Sequence, residues 1–170
     1  MLEFVFLLPI VTGLTAMFVP VALGRGILLI AALLHMQLTV MAWLNKLNPY
    51  FPDYFSTSPE GLLVLLVTSF IFLFISVYAI SYMRETEMQS EHIFISCMLL
   101  FLGTMSMVTL SDHPIVLWIA IEATTLVSAP LIFINRSKEA LEATWKYVLI
   151  CSVGIALALH KKRAQVLLRA

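Results

Sequence analysis

Charged side chains are scarce in this sequence of 170 residues. Asp, Glu, Lys and Arg make up 12% of the chain, apolar residues make up 61%, and the mean hydropathy is +1.00. A soluble domain has about 25% charged residues, so this composition excludes an ordinary water-soluble globule. The apolar content also excludes an intrinsically disordered chain, which requires low hydrophobicity and high net charge.

Clustered positive charge and metal-binding cysteines are missing as well. The net charge is zero and no basic cluster precedes residue 161, which argues against nucleic-acid binding. The two cysteines, Cys97 and Cys151, lie in apolar stretches without metal-ligand spacing, so we expect no disulfide framework and no iron–sulfur site. No phosphate loop or dinucleotide fingerprint is present. We therefore expect an integral membrane protein with no cofactor of its own.

Long apolar stretches are what the sequence has instead. A helix needs about 20 apolar residues to cross a bilayer, and backbone in lipid must satisfy its own hydrogen bonds. These stretches predict an all-α, polytopic transmembrane helix bundle that occupies residues 1–159. About six spans are expected, at about 4–24, 26–45, 61–83, 92–111, 114–134 and 140–159.

The positive charges of the loops predict an orientation. Cytoplasmic loops of membrane proteins carry an excess of Lys and Arg. With the N-terminus outside, the outer loops carry only Lys46, and we therefore expect a multi-pass protein of the cell (inner) membrane oriented in this way. The four positive residues on the cytoplasmic side would be Arg25, Arg84, Arg136 and Lys138.

The segment 160–170, HKKRAQVLLRA, contradicts that orientation. Six spans would put the C-terminus outside, yet this segment carries four Lys or Arg residues and follows an apolar helix without a cap or turn signal. We interpret it as a basic tail that is foreign to the fold, added where a longer coding sequence was interrupted. The alternative is a basic anchor at the membrane surface.

Glu122 is an ionisable residue near the middle of the fifth span. A charged side chain at the centre of a membrane helix costs about 2.5–3.5 kcal/mol, so it is a functional candidate by default. Thr125 shares its helix face, and Pro130 removes a backbone hydrogen bond later in the span, where water could then enter. The alternative is a protonated glutamate that, with neighbouring small residues, serves helix packing.

Lys146 lies about two turns into the sixth span, four residues after Glu142, which is the favourable order for a helical ion pair. It is either a cation that influences a carboxylate or a lysine that reaches back to the membrane surface. Counted from the hairpin turn, Glu122 lies about 9 Å deeper than Lys146, so a link between them needs water or another helix.

His35, in the middle of the second span, is the third candidate for proton transfer. An imidazole titrates near neutrality and can relay protons. The alternative, which we favour from the sequence, is a neutral histidine that is hydrogen-bonded to a neighbouring helix.

Two segments resemble a known family. They are YAISYM at 78–83 and IEATTLVSAPLIFINRSKEALEATWKYVLICSVGIALAL at 121–159. The chain resembles the antiporter-like proton-translocating subunits of respiratory complex I and of membrane-bound hydrogenases, and 121–159 is most similar to the F subunit of hydrogenase-4. The resemblance extends over about 1–159 and is specific from about residue 78 onward.

The resemblance implies a larger context. Such subunits have about fourteen helices in two inverted repeats, so this chain would be an N-terminal, C-terminally truncated part. They lie in a membrane arm whose partner subunits hold iron–sulfur and nickel–iron or flavin centres. Glu122 matches the fifth-span glutamate, which is thought to couple with lysines in later helices, and Lys146 matches a lysine that recurs after the hairpin. The main pumping lysine would lie beyond residue 159.

The function that this resemblance implies is proton translocation coupled to electron transfer, in a hydrogenase-4 or NADH:quinone-oxidoreductase-like complex. Two alternatives remain open. One is a small oligomeric transporter or channel built around Glu122, and the other is an inactive structural fragment or assembly module.

Overall fold

The computed structural model describes residues 2–44, 47, 49–86, 90–133 and 137–169, and at 86, 156 and 158–169 it describes the backbone alone. Lys46 and Arg136, on which the predicted orientation partly rests, lie outside this part of the chain. The side chains of 160–170 also lie outside it. That this segment is foreign to the fold therefore stays a prediction.

Six helices account for the fold of the described residues, and the all-α prediction is confirmed. Within the described ranges no strand occurs, and a single antiparallel bridge joins Phe55 to Ser111. The helices are α1 (Phe4–Ala16), α2 (Val21–Trp43), α3 (Pro59–Thr86), α4 (Glu91–Leu110), α5 (Pro114–Ile132) and α6 (Lys138–Arg169).

Four of these helices, α2 to α5, are long and apolar enough to cross a membrane. The chain is therefore a multi-pass membrane protein. By itself α1, with 13 residues, is shorter than the about 20 that a span requires. It ends at Ala16, whereas the first predicted span runs to Gly24. Pro20 explains the difference, because its backbone is extended (ψ 143°) and α2 begins immediately after it.

Hydrogen bonds join three segments at one end of the bundle: the residues before α1, the α2–α3 loop and the end of α4. The carboxylate of Glu3, before α1, accepts hydrogen bonds from the backbone N–H groups of Tyr50 and Phe51 in the α2–α3 loop. The same loop donates from the N–H of Ser56 to the carbonyl of Leu110, where α4 ends. Since these three segments meet, α1 begins at the end of the bundle where α2 and α4 finish.

An ion pair marks the opposite end. The guanidinium of Arg25, in the first turns of α2, contacts both carboxylate oxygens of Glu91 at the start of α4, at 2.8 to 3.1 Å. Both side chains are largely buried. The pair fixes α2 beside α4, and it lies on the side that the loop charges predict to be cytoplasmic.

Helices α1 to α4 form the core, and α5 and α6 follow outside it. Two glycines allow α1 and α4 to approach closely: a Cβ at Gly103 would lie 2.5 Å from Ile10 Cγ1, and one at Gly13 would lie 3.0 Å from Leu100 Cγ. The hydroxyl of Ser96 donates to the carbonyl of Gly13 at 2.7 Å across this interface. Next, α5 packs on α4 and α6 on α5, so the last hairpin is the peripheral part of the bundle.

Candidate functional site

The carboxyl group of Glu122 lies half-buried between α5 and α6. Its Oε1 atom accepts a hydrogen bond of 2.5 Å from the hydroxyl of Ser152, on α6. Glu122 is near the middle of α5, a helix of 19 residues. The described structure thus gives this costly intramembrane carboxyl group a polar partner from the neighbouring helix.

The turn before α5 sets the position of this carboxyl group. Pro114 occupies the first turn, where a missing N–H group costs nothing, and His113 Nδ1 accepts from the N–H of Ile115 at 3.3 Å. From that start Glu122 lies about 12 Å along the helix axis. The α5–α6 hairpin then returns the chain so that Ser152 lies opposite it.

The hydroxyl groups of α5 near Glu122 are hydrogen-bonded to the backbone of α5 itself. Thr125 donates to the carbonyl of Glu122 at 2.7 Å, and Ser128 donates to the carbonyl of Thr124 at 2.7 Å. Thr125 is buried, and its hydroxyl bonds to the backbone carbonyl of Glu122. Pro130 lies inside α5 and is exposed; because it has no N–H, the carbonyl four residues earlier lacks its usual helical donor.

Lys146 is paired with Glu142, four residues earlier on α6, and both side chains are more than half exposed (53% and 59%). The sequence order had indicated this ion pair. Ser152, which contacts Glu122, is about six residues beyond Lys146, or about 9 Å of helical rise. The structure therefore brings Ser152 to Glu122, and it leaves Lys146 nearer the start of α6.

His35 belongs to a separate site inside the α2–α3–α4 core. It is fully buried, and its two ring nitrogens contact the hydroxyl groups of Ser69 on α3 and Ser106 on α4. A short polar cluster thus lies inside the helix bundle, away from the α5–α6 hairpin.

Sequence reasoning missed the partners of these residues. Ser69, Ser106 and Ser152 are ordinary hydroxyl residues in apolar helices, and the sequence does not say which helices are neighbours. The ion pair of Arg25 and Glu91 did carry a signal, since the loop-charge count puts Arg25 and the 84–91 loop on the same side of the membrane.

Among the described residues, no three His, Cys, Asp or Glu side chains converge closely enough to hold a metal ion. Cys97 and Cys151 are free thiols on different helices.

Comparison with known proteins gives one informative similarity. The chain is 26% identical to a protein described as "Hydrogenase-4 component F homolog" from Methylacidiphilum infernorum (isolate V4), over 79% of this chain and 32% of that protein. The resemblance to the F subunit of hydrogenase-4 is thereby confirmed. The chain spans about a third of the length of the relative that it matches. No protein-family model matches the chain, and no solved structure does.

Proposed function

We propose that the chain is a proton-translocating membrane subunit of a hydrogenase-4 or NADH:quinone-oxidoreductase-like complex, in which Glu122 takes up and releases a proton. The observation that carries the proposal is the hydrogen bond from Ser152 to Glu122 in the middle of two packed helices. The similarity to a hydrogenase-4 component F homolog supports the same assignment.

The Ser152 hydroxyl suits both protonation states of the carboxyl group. It donates to the carboxylate, and when Glu122 is protonated it still donates to the carbonyl oxygen of the acid or accepts from the acid O–H. A partner that serves both states lowers the cost of either one in an apolar setting. Glu122 can therefore exchange a proton without a rearrangement of helices.

Access to Glu122 in this proposal comes from the side of the α5–α6 turn. On α5, the backbone carbonyl left free by Pro130 offers water a hydrogen-bond partner. On α6, Lys146, which is paired with Glu142, lies about 9 Å from Ser152 along the helix axis. Water between these groups would complete the link, and Lys146 would modulate the carboxyl group through it.

The proposed context sets the partners. Electron transfer would take place in other subunits of the assembly, which hold the iron–sulfur and nickel–iron or flavin centres. This chain would contribute to the membrane arm, with its N-terminus outside. The ion pair of Arg25 and Glu91 then lies at the cytoplasmic face.

The test is proton translocation per electron in sealed membrane vesicles that contain the complex with this subunit. Glu122→Gln keeps the size and the hydrogen-bonding capacity of the side chain but cannot release a proton near neutral pH. We expect electron transfer to continue and proton translocation to fall to the level of uncoupled vesicles.

Glu139→Gln is the matched control, because it removes an exposed carboxylate from the first turn of α6 in the same hairpin. It should keep the parental ratio of protons to electrons. If Glu122→Gln also keeps that ratio, Glu122 contributes only to packing and the proposal is wrong.

A further inference from the structure

The imidazole of His35 is held between two serine hydroxyl groups. Its Nε2 lies 2.8 Å from Ser106 Oγ and its Nδ1 lies 2.9 Å from Ser69 Oγ. The residue is 0% exposed, and the three side chains come from α2, α4 and α3. Both ring nitrogens are therefore satisfied by groups that can donate or accept.

Each hydroxyl of this cluster has a second acceptor. Ser106 also lies 2.7 Å from the carbonyl of Leu102, and Ser69 lies 2.8 Å from the carbonyl of Leu65. Thr39 adds a link, because its hydroxyl lies 2.9 Å from Ser69 Oγ and 2.9 Å from the carbonyl of His35. Since these carbonyls belong to helical backbone, a hydroxyl that turns away from one does not leave it without a donor.

The proton count leaves two arrangements of equal quality. A neutral imidazole and three hydroxyl groups supply four protons for the six contacts of the cluster. With the proton on Nε2, Ser106 accepts and Ser69 donates to Nδ1. With the proton on Nδ1, Ser69 accepts and Ser106 donates to Nε2. Either arrangement satisfies four contacts, so neither tautomer is preferred by hydrogen bonding.

The described groups around this ring are uncharged. They are Ser69 on α3, Ser106 on α4 and Thr39 on its own helix. The ion pair of Arg25 and Glu91 lies about ten residues away along α2, or about 15 Å. Because none of these described partners is an anion that would stabilise an imidazolium ion, the buried ring remains neutral and changes its tautomer rather than its charge.

We propose that Thr39, Ser69, His35 and Ser106 form a proton-relay site across three helices, with a proton carried by water as its ligand. In one passage a hydronium ion gives a proton to the Thr39 oxygen and becomes water, Thr39 gives its own proton to Ser69, and Ser69 gives its proton to Nδ1. The Nε2–H proton passes to Ser106, whose former proton leaves to a second water and makes it a hydronium ion. Thr39 and Ser106 are fully buried, so the two waters would reach them through transient openings between the helices. Every oxygen and nitrogen keeps its electron pairs, and the ring ends as the other neutral tautomer.

The relay would serve the proposed function as a second proton path, separate from the α5–α6 hairpin. Its role in proton transport rests on the proposed function, whereas the two tautomers are a property of the cluster itself. A test of the tautomers therefore stands even if the pumping experiment on Glu122 fails.

The experiment is nitrogen NMR of the full chain in bilayers, with ¹⁵N-labelled histidine. The chain has four histidines, and replacing His92, His113 and His160 by Gln leaves His35 as the only labelled imidazole. We expect signals of both neutral tautomers at neutral pH, in a ratio within about tenfold of equality, because one net hydrogen bond changes an equilibrium by about that factor.

Two variants should drive the ring in opposite directions. Ser69→Ala removes the partner of Nδ1 and leaves the Nε2–H tautomer, and Ser106→Ala leaves the Nδ1–H tautomer. Ser76→Ala is the control, since Ser76 is a fully buried serine on α3 whose hydroxyl bonds to the carbonyl of Leu73 in its own helix. It should leave the tautomer ratio unchanged.

Three results would overturn the relay: a single tautomer in the parent chain, an imidazolium ion at neutral pH, or the same tautomer in both serine variants. The parent spectrum alone decides the first two, so the proposal remains testable if a serine variant does not fold. In the coupled vesicles, His35→Gln should also lower protons per electron while electron transfer continues.

Discussion

Replacing Gly103 by alanine should separate α1 from α4, two helices that pack closely in the core. The added Cβ would lie 2.5 Å from Ile10 Cγ1, 3.0 Å from the carbonyl oxygen of Phe6 and 3.2 Å from the backbone nitrogen of Ile10. The isoleucine side chain can turn, but the two backbone atoms can yield only if α1 moves. The change therefore acts on the position of the whole helix.

The magnitude follows from two opposing effects. Overpacking of a core costs about 1–3 kcal/mol. Alanine in place of glycine gains about 1 kcal/mol in helix propensity, so we expect a net loss of about 0–2 kcal/mol in the free energy of unfolding. Gly26→Ala, in α2, is the matched control because nothing lies within 4 Å of its added Cβ. It should be neutral or more stable than the parent.

Denaturant unfolding of the purified chain in detergent micelles, followed by circular dichroism, measures both variants. The two glycine variants should differ by about 1–3 kcal/mol in the free energy of unfolding, because the gain in helix propensity is common to both. Equal stability of the two variants would refute the close packing of α1 on α4.

Three further predictions concern the ends and the transport of the chain. Burial raises the pKa of Glu3, but hydrogen bonds from backbone N–H groups lower it more, so it lies below the ordinary value of 4.5. Glu3 should therefore stabilise the fold by about 1 kcal/mol above that pH and lose this effect as the pH falls through the lowered pKa. Thermal melts of the parent should show this loss of stability, and melts of Glu3→Gln should not. A membrane-impermeant thiol reagent should label Ser56→Cys but not Ser90→Cys from outside intact cells, and labelling of the second would reverse the orientation. Liposomes that hold only this chain should show no proton uptake through Glu122 under an imposed potential, because no charged side chain lies on α5 between its start and Glu122. Uptake that Glu122→Gln abolishes would contradict this and favour the small channel.

The sequence was sufficient for the fold class. Scarcity of charge and long apolar stretches predict membrane helices because a bilayer admits almost nothing else. The pair of Glu142 and Lys146 was also predictable, since it depends only on spacing within one helix. The break before α2 could have been predicted from Pro20, whose effect on the backbone is local.

The partners of the candidate residues could not be predicted in the same way. Ser152 meets Glu122 because the α5–α6 hairpin has one register, and the sequence fixes that register only to within a few residues. His35 meets Ser69 and Ser106 because α2, α3 and α4 are neighbours in space. Such contacts depend on how helices pack, which apolar surfaces alone do not specify.

The most direct test of the central claim is infrared difference spectroscopy of the complex, recorded between the resting state and turnover. If Glu122 exchanges a proton, turnover changes a carboxyl C=O band that is missing in Glu122→Gln. The same band should move to higher frequency in Ser152→Ala, because the carbonyl loses its hydrogen-bond donor. Identical difference spectra for the parent and for Glu122→Gln would contradict the account, since the carboxyl group would then keep one protonation state while electrons flow.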